Sequence, residues 1–299
     1  MSLLVVGSIA LDSIKTPQAS VNNIVGGSAT YFSLSASKFT KVRLVAVVGR
    51  DFPKKYINLL ETNGIDTEGL IRDNGETFRW QGEYGKDFSD AKTIATHLNV
   101  FANFRPKIPK SYQNTRLIFL ANIDPQLQLQ VLEQVKKPKL IACDTMNFWI
   151  ESKRSTLLKL LKSVDAFLLN ESEARLLTGE ANLILAGKAI SRFGPEIVLI
   201  KKGENGALLF KGSKIFTAPA YTLEEVVDPT GAGDTFAGGF MGYLAAAKRI
   251  NDLTFRQAVI YGNIMATFAV ESFGVNRLQK ASGQEIKKRI NYYRQLTKF

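Results

Sequence analysis

Six short, almost uninterrupted apolar runs leave this chain few architectures to adopt. They are LLVVGS (3–8), RLVAVVG (43–49), RLIFLAN (116–122), KLIACD (139–144), AFLLN (166–170) and EIVLIKK (196–202). A strand with one wet face alternates apolar and polar residues, whereas a continuously apolar run needs cover on both faces. Helix-like stretches separate the runs, near 28–39, 53–62, 125–136, 151–163, 171–178 and 182–193, and two or three long helices follow residue 230. Alternation of this kind predicts an α/β fold, a mostly parallel sheet with helices on both faces.

Residues 75–105, GETFRWQGEYGKDFSDAKTIATHLNVFANFR, break that rhythm. They are aromatic, polar and alternating, and they predict exposed antiparallel strands beside the main sheet. The segment 12–25 is expected to add strands to this flap. The 299 residues suffice for one large α/β domain or two modest ones. With no Pro/Ser linker, low-complexity tract or fixed-period repeat, a single domain over 1–299 carrying an inserted flap is preferred.

Composition removes several classes. At 45% hydrophobic and 22% charged residues the chain is globular. The single Cys143 excludes an intramolecular disulfide and suits a reducing cytosol, so a cytoplasmic location is expected. One Cys and one His97 cannot build a zinc cluster and leave little for a hydrolase triad. The most apolar stretches, 235–247 and 257–270, are shorter than the ~18–20 residues of a spanning helix, so no membrane partner is expected. The opening MSLLVVGSIALDSI has no basic n-region and reads as a buried strand rather than a signal peptide. The charge of +12, from 39 basic against 27 acidic residues, is spread over the chain. With no zinc motif or recognisable helix-turn-helix, it points to no nucleic-acid partner. It suits an anionic small substrate such as a nucleotide without identifying one.

The chemistry concentrates in DPTGAGDTFAGGF, 228–240. Gly231, Ala232 and Gly233 precede a strongly helical pattern. Glycines there let successive backbone N–H groups converge at the positive end of a helix, which makes an anion hole. Asp234 stands at its mouth. A carboxylate beside bound phosphate is explained if it removes a proton from a hydroxyl attacking that phosphorus. As a lone feature it is equally a helix cap. Gly238 and Gly239 read as sites of close packing.

D-x-T-G-A-G-D followed by T-F-x-x-G-F resembles the C-terminal signature of the ribokinase-like, PfkB family of carbohydrate and nucleoside kinases. The resemblance covers essentially the whole chain. It implies a three-layer α/β/α sandwich with a mostly parallel sheet and a small β-strand lid. It also implies ATP- and Mg²⁺-dependent phosphorylation of an alcohol, with Asp234 as the base. Asn170 and Glu173, in Asn-Glu-Ser-Glu after a strand, match the family's N-x-x-E and are implied to organise Mg²⁺ largely through water. By spacing alone they are a capping box, and both readings hold together. In Lys-Lys-Gly-Glu-Asn-Gly, Gly203 and Gly206 fit the T-x-G-x-x-G that touches nucleotide phosphates and ribose. Lys201 stands where Thr is common and puts a cation there. Asn263 falls where the family contacts adenine, or is a packed core residue. The peptides at 228–230 and 272–274 match a monovalent-cation (K⁺) site.

On the acceptor side, Asp12 and the pair Gly26–Gly27 match positions that hold substrate. A carboxylate accepts two hydroxyl donors at once. Many sugar kinases carry Asn four residues after the second Gly; here Tyr31 stands there. Asp144 and Asn147, after a strand, line the acceptor or phosphate pocket or support that loop. Trp80, Tyr84, Phe88, Phe101 and Phe104 either cover the acceptor or pack the flap on the main domain or a second subunit. Lid strands of this family often pair across a homodimer, which becomes an expectation. The leading functional reading is a sugar kinase. The alternative is a nucleoside kinase on the same scaffold, favoured by Tyr31 and the aromatic lid. A non-catalytic ligand-binding protein of this fold is disfavoured by the intact GAGD.

Overall fold

The computed structural model describes residues 1–86, 88 and 91–298. The expected flap segment 75–105 thus includes three positions, 87, 89 and 90, outside the described residues. In chain order the elements are β1 (Leu3–Val6), β2 (Ala10–Lys15), β3 (Ser20–Gly26), α1 (Ser28–Ala36), β4 (Val42–Gly49), α2 (Lys54–Thr62) and β5 (Ile65–Asp73). Then follow β6 (Arg79–Glu83), β7 (Lys92–His97), β8 (Leu117–Leu120), α3 (Pro125–Leu132), β9 (Leu140–Cys143), α4 (Asn147–Ser152) and α5 (Arg154–Leu161). The last third contains β10 (Ala166–Asn170), α6 (Glu171–Thr178), α7 (Leu183–Ser191), β11 (Ile197–Lys201), β12 (Ala207–Lys211), β13 (Lys214–Ala218), α8 (Ala232–Ala246), α9 (Asp252–Val270) and α10 (Gly283–Leu296).

Among the described residues, nine strands form the main sheet in the order β13-β12-β11-β10-β9-β8-β1-β4-β5. The strands from β11 to β5 run parallel; β12 and β13 are antiparallel additions at one edge. Successive side chains of β1 separate the two cores. Leu3 and Val5 join a layer with α1, α8 and α9, whereas Leu4 and Val6 join one with α3, α5, α6 and α7. That explains why the central runs are apolar at every position. The three layers and the parallel sheet are the expected ones. β5 is an edge strand that sequence reading did not anticipate, because IDTEGLIRD is half exposed and has no continuous apolar run. The helix expected over 151–163 is two helices, α4 and α5, meeting at Lys153, whose φ of −132° is not helical.

A second sheet, β3-β2-β6-β7, stands beside the first as a lid. Two of the five flap aromatics lie away from it. Phe101 stacks between Phe78 and Phe104, and Phe104 is buried in the core that contains α3 and α5. These rings anchor the chain where it leaves the lid, because the 3₁₀ turn at Asn99–Asn103 directs them beneath the main sheet. Among the described residues no helix is long and apolar enough to cross a membrane.

Helix α8 reaches its place only through missing side chains. A Cβ on Gly238 would lie 2.4 Å from the Phe32 carbonyl oxygen of α1, and one on Gly239 2.9 Å from the Tyr261 carbonyl oxygen of α9. Both contacts meet backbone, which cannot rotate aside. Gly238→Ala is therefore expected to destabilise the protein by about 1–3 kcal/mol despite alanine's better helix propensity. A melting temperature at or above wild type would contradict this packing.

Candidate active site

The carboxyl ends of β9, β10 and β11, the lid hairpin and the first turn of α8 converge on one cleft edge. Helix α8 begins after Gly231, which has a left-handed φ of 74°. Its missing side chain also permits contact, since a Cβ there would lie 2.3 Å from the Tyr31 ring. Ala232 N–H is taken by the Pro229 carbonyl, 3.1 Å. Gly233 and Asp234 lie in the first turn, where a helix supplies no acceptor for the amide. The turn expected at Gly231–Gly233 is thus present, and the Gly233 and Asp234 amides are the ones left for an anion to use.

Lys201, the last residue of β11, extends to it. Its ammonium lies 2.9 Å from Asp144 Oδ2, and a Cβ on Gly233 would come within 3.1 Å of Nζ. Burial works against the ammonium, but Asp144, Glu173 and Asp234 outweigh it and hold the Lys201 pKa above its ordinary value. Asp234 is pushed up to about 7, first by loss of water and then by the Asp144 carboxylate, with Lys201 opposing. A carboxylate of that pKa is matched to proton transfer near neutral pH.

Asn170 and Glu173 form the capping box that their spacing allows. Glu173 N–H donates to Asn170 Oδ1 and Asn170 N–H to Glu173 Oε2, each 2.7 Å. The box brings both side chains to the end of β10, where Glu173 acts on Lys201. Among the described residues no three His, Cys, Asp or Glu side chains cluster to hold a metal. Two oxygen-bearing side chains fit a Mg²⁺ that keeps its waters and arrives with phosphate, and do not fit a resident ion.

Of the residues expected on the nucleotide side, Gly206 and Asn263 meet at Pro219. Gly203 has φ 51° and open space around it. Gly206 has φ 84°, and a Cβ there would strike the Ala218 carbonyl oxygen at 2.0 Å. Asn263 is buried and donates to the Pro219 carbonyl, 3.1 Å, which also accepts from Tyr293 at 2.8 Å. The Asn263 amide thus fixes the 218–220 segment, as the core alternative expected.

Across the cleft, Asp12 of β2 is buried, and its Oδ2 occupies the space a Cβ on Gly26 would need, 1.7 Å away. Desolvation, then the Asp228 charge, push Asp12 up to about 8; the Gly27 N–H opposes and Asp234 adds to it. Gly27 caps α1 with φ 91°. Tyr31 is 1% exposed, and its hydroxyl has no partner among the described residues. Burial first, then Asp12, Asp228, Tyr84 and Asp234, raise its pKa well above the phenol range. Tyr31 is therefore the wall between the two halves of the site.

The lid closes over it. Parallel pairing sets Trp80 opposite Asp12, so both side chains share one face of the lid sheet. Thr230 donates to the Tyr84 hydroxyl, 3.1 Å, joining the lid to the loop before α8. Asp228 accepts from Thr230 N–H at 2.9 Å and Gly274 N–H at 3.3 Å, so the two peptides expected to flank a monovalent cation adjoin. Sequence reading named Asp144 only as a pocket-lining or loop residue. Its pairing with Lys201 joins residues 57 positions apart, and the available signal was an acid ending the apolar run KLIACD.

Comparison with known proteins agrees with this fold. A family model described as pfkB family carbohydrate kinase matches residues 2–281. A cytidine kinase of Thermococcus kodakarensis is 31% identical over 248 residues, covering 81% of this chain and 88% of its own. A nucleoside kinase of Methanothermobacter thermautotrophicus is 27% identical over 306 residues, 94% of this chain and 91% of its own. An E. coli protein described as a ribokinase II, solved with ATP and Mg²⁺, superposes with a TM-score of 0.81 at 19% identity, covering 97% of this chain and 99% of that one.

The charge arrangement has a direct test. Lys201 lowers the Asp234 pKa, so Lys201→Met should raise it above about 7. Carboxyl ¹³C NMR titration would read the shift. A downward move, or none, would separate the two groups.

Proposed function

The chain belongs to the pfkB family of carbohydrate kinases, and from that premise we propose that it transfers the γ-phosphoryl group of ATP to a ribose hydroxyl of a nucleoside. The observation that carries the acceptor assignment is the register of the lid, which sets Trp80 on the same face as Asp12. A buried carboxylate suits neighbouring hydroxyls of a sugar ring, and an aromatic ring on the same face suits a planar base. Tyr31, in place of the asparagine of many sugar kinases, lies in the field of Asp12 with a buried, unpartnered hydroxyl. The similarity to a cytidine kinase and a nucleoside kinase supports this choice over a free sugar.

Asp234 accepts the proton of the attacking hydroxyl. The amides of Gly233 and Asp234, with Lys201, face the charge on the transferred group. Gly203 and Gly206 border the nucleotide, with Asn263 holding the adjacent wall. Gly26 and Gly27 bring backbone close to the acceptor. ATP would supply the phosphoryl group, and Asn170 and Glu173 would hold, through water, a Mg²⁺ that screens its charge. The peptides joined at Asp228 and Gly274 are the place for K⁺. Closure of the lid over Tyr31 excludes water, which limits wasteful hydrolysis. The exposed edge strand β7 is the surface for a homodimer through the lid. The buried free thiol of Cys143 suits the cytosol.

Asp234→Ala should keep nucleotide binding and lower kcat by roughly 10²–10⁴-fold. Because Asp234 acts as the carboxylate and its pKa is raised to about 7, kcat should decline as pH falls below that value. A variant with near-wild-type kcat would make Asp234 a cap and nothing more.

The acceptor is tested by ADP release with Mg²⁺ATP across cytidine, uridine, adenosine, inosine, ribose, fructose and inositols. Nucleosides should show the highest kcat/KM, and a free sugar outperforming all of them would restore the sugar-kinase reading. Hydrogen bonds to a charged group are worth about 1.5–3 kcal/mol, so above about pH 8, where Asp12 is ionised, Asp12→Ala should raise the acceptor KM about tenfold or more, with little change for ATP. Trp80→Ala should raise KM for nucleosides more than for ribose.

A further inference from the structure

One cation and three acids meet at the ends of β9, β10 and β11 and the start of α8. Lys201 lies within the field of Asp144, Glu173 and Asp234. Which acid it pairs with decides whether Asp234 is free to act. In the structure the partner is Asp144, at 2.9 Å, with side-chain exposures of 14% for Lys201 and 4% for Asp144. Glu173 Oε2 accepts from the Asn170 N–H.

Asp144 is held for this purpose from several sides. Its N–H donates to the Leu120 carbonyl, 3.0 Å, and its Oδ1 accepts from Thr145 N–H, 2.8 Å. Its own carbonyl accepts from the Gln128 amide at 3.2 Å. The same amide, on a residue 1% exposed, reaches the carbonyls of Leu120 and Ala121 at 3.1 and 3.0 Å. Gln128 thus ties the ends of β8 and β9 together, and Asp144 Oδ2 is directed at Lys201. A carboxylate that is not the base would ordinarily repel incoming phosphate. Paired with an ammonium it adds no net charge. An uncharged side chain at 201 would leave that carboxylate bare, so Asp144 and Lys201 act as one unit.

We propose that Asp144 is a positioning residue that keeps the Lys201 ammonium beside the first turn of α8 paired with itself rather than with Asp234, leaving Asp234 available to take the acceptor's proton. This rests on the kinase reading with Asp234 as base. Removal of the Asp144 charge lets the flexible lysine turn to Asp234 and occupy it. Removal of the lysine strands a bare acid in the phosphate site. Removal of both relieves both faults.

The test is a double-mutant cycle of Asp144→Asn, Lys201→Thr and the pair, read by kcat and both KM values. ADP binding by calorimetry serves as the check of fold. Asp144→Asn should lose about 10²-fold, mainly in kcat. The double variant should regain about tenfold over Asp144→Asn alone, a coupling that independent sites do not show. Asp144→Glu, which keeps the ion pair, should retain more activity than Asp144→Asn. Losses that multiply in the double variant would overturn the proposal. So would an Asp144→Glu variant that binds ADP normally and turns over as poorly as the Asn variant. Asp234→Ala, run in parallel, separates the two levels. Its retention of activity would remove the base assignment itself, whereas an inactive Asp234→Ala with a multiplicative cycle would remove only the role of Asp144.

Discussion

Helix α8 can lie between α1 and α9 only because it lacks side chains where they cross. Gly238 meets the Phe32 carbonyl, Gly239 the Tyr261 carbonyl, and Gly242 the backbone of Ala36. At its N-terminal end, Gly231 rests on the Tyr31 ring. A helix with a Cβ at these points would stand farther from the sheet. Its first-turn amides would then lose their place beside Lys201, and Asp234 would leave the field of Asp144. Phe32, beneath it, stacks on Phe119 of the sheet at 4.2 Å between ring centres. The packing of one face of the sandwich therefore sets the geometry of the site.

The site is costly in electrostatic terms. Asp12, Asp228 and Asp234 all have raised pKa values, and burial is the first cause of each. A carboxyl whose pKa is higher in the folded than in the unfolded chain binds its proton more tightly when folded. Stability from these groups is therefore greatest below about pH 4 and falls as pH rises through their folded values, about 7 for Asp234 and about 8 for Asp12. That strain lies where ligands are expected to arrive with hydroxyl donors and cations. Stability is commonly lost at functional sites in this way. The Lys201 ammonium and the backbone donors at Gly27, Thr230 and Gly274 offset part of the cost.

Some residues were legible in the sequence because their role is local. Gly231 to Asp234 had to form a turn entering a helix, since glycine spacing and helical pattern act within a few residues. Asn170 and Glu173 announced a capping box by their spacing, and the structure contains it. Other residues were ambiguous for a physical reason. Asn263 had two readings because its partner, Pro219, lies 44 residues away. Phe101 and Phe104 belong to an aromatic segment, and nothing local says which side of the sheet they face.

By itself the sequence determined the layer architecture, because runs such as LLVV and AFLL cannot face water on either side. It also determined the glycine turn into α8, because only glycine adopts the φ of 74° at residue 231 without strain. Tertiary structure alone decided which charges meet. Lys201 pairs with Asp144 because β9, β10 and β11 are neighbours in the sheet. Trp80 shares a face with Asp12 because β6 pairs with β2 in that register. A shift of one residue would turn Trp80 to the opposite face. Sheet order and register arise from contacts between distant segments, and the local pattern of apolar residues has no term for them.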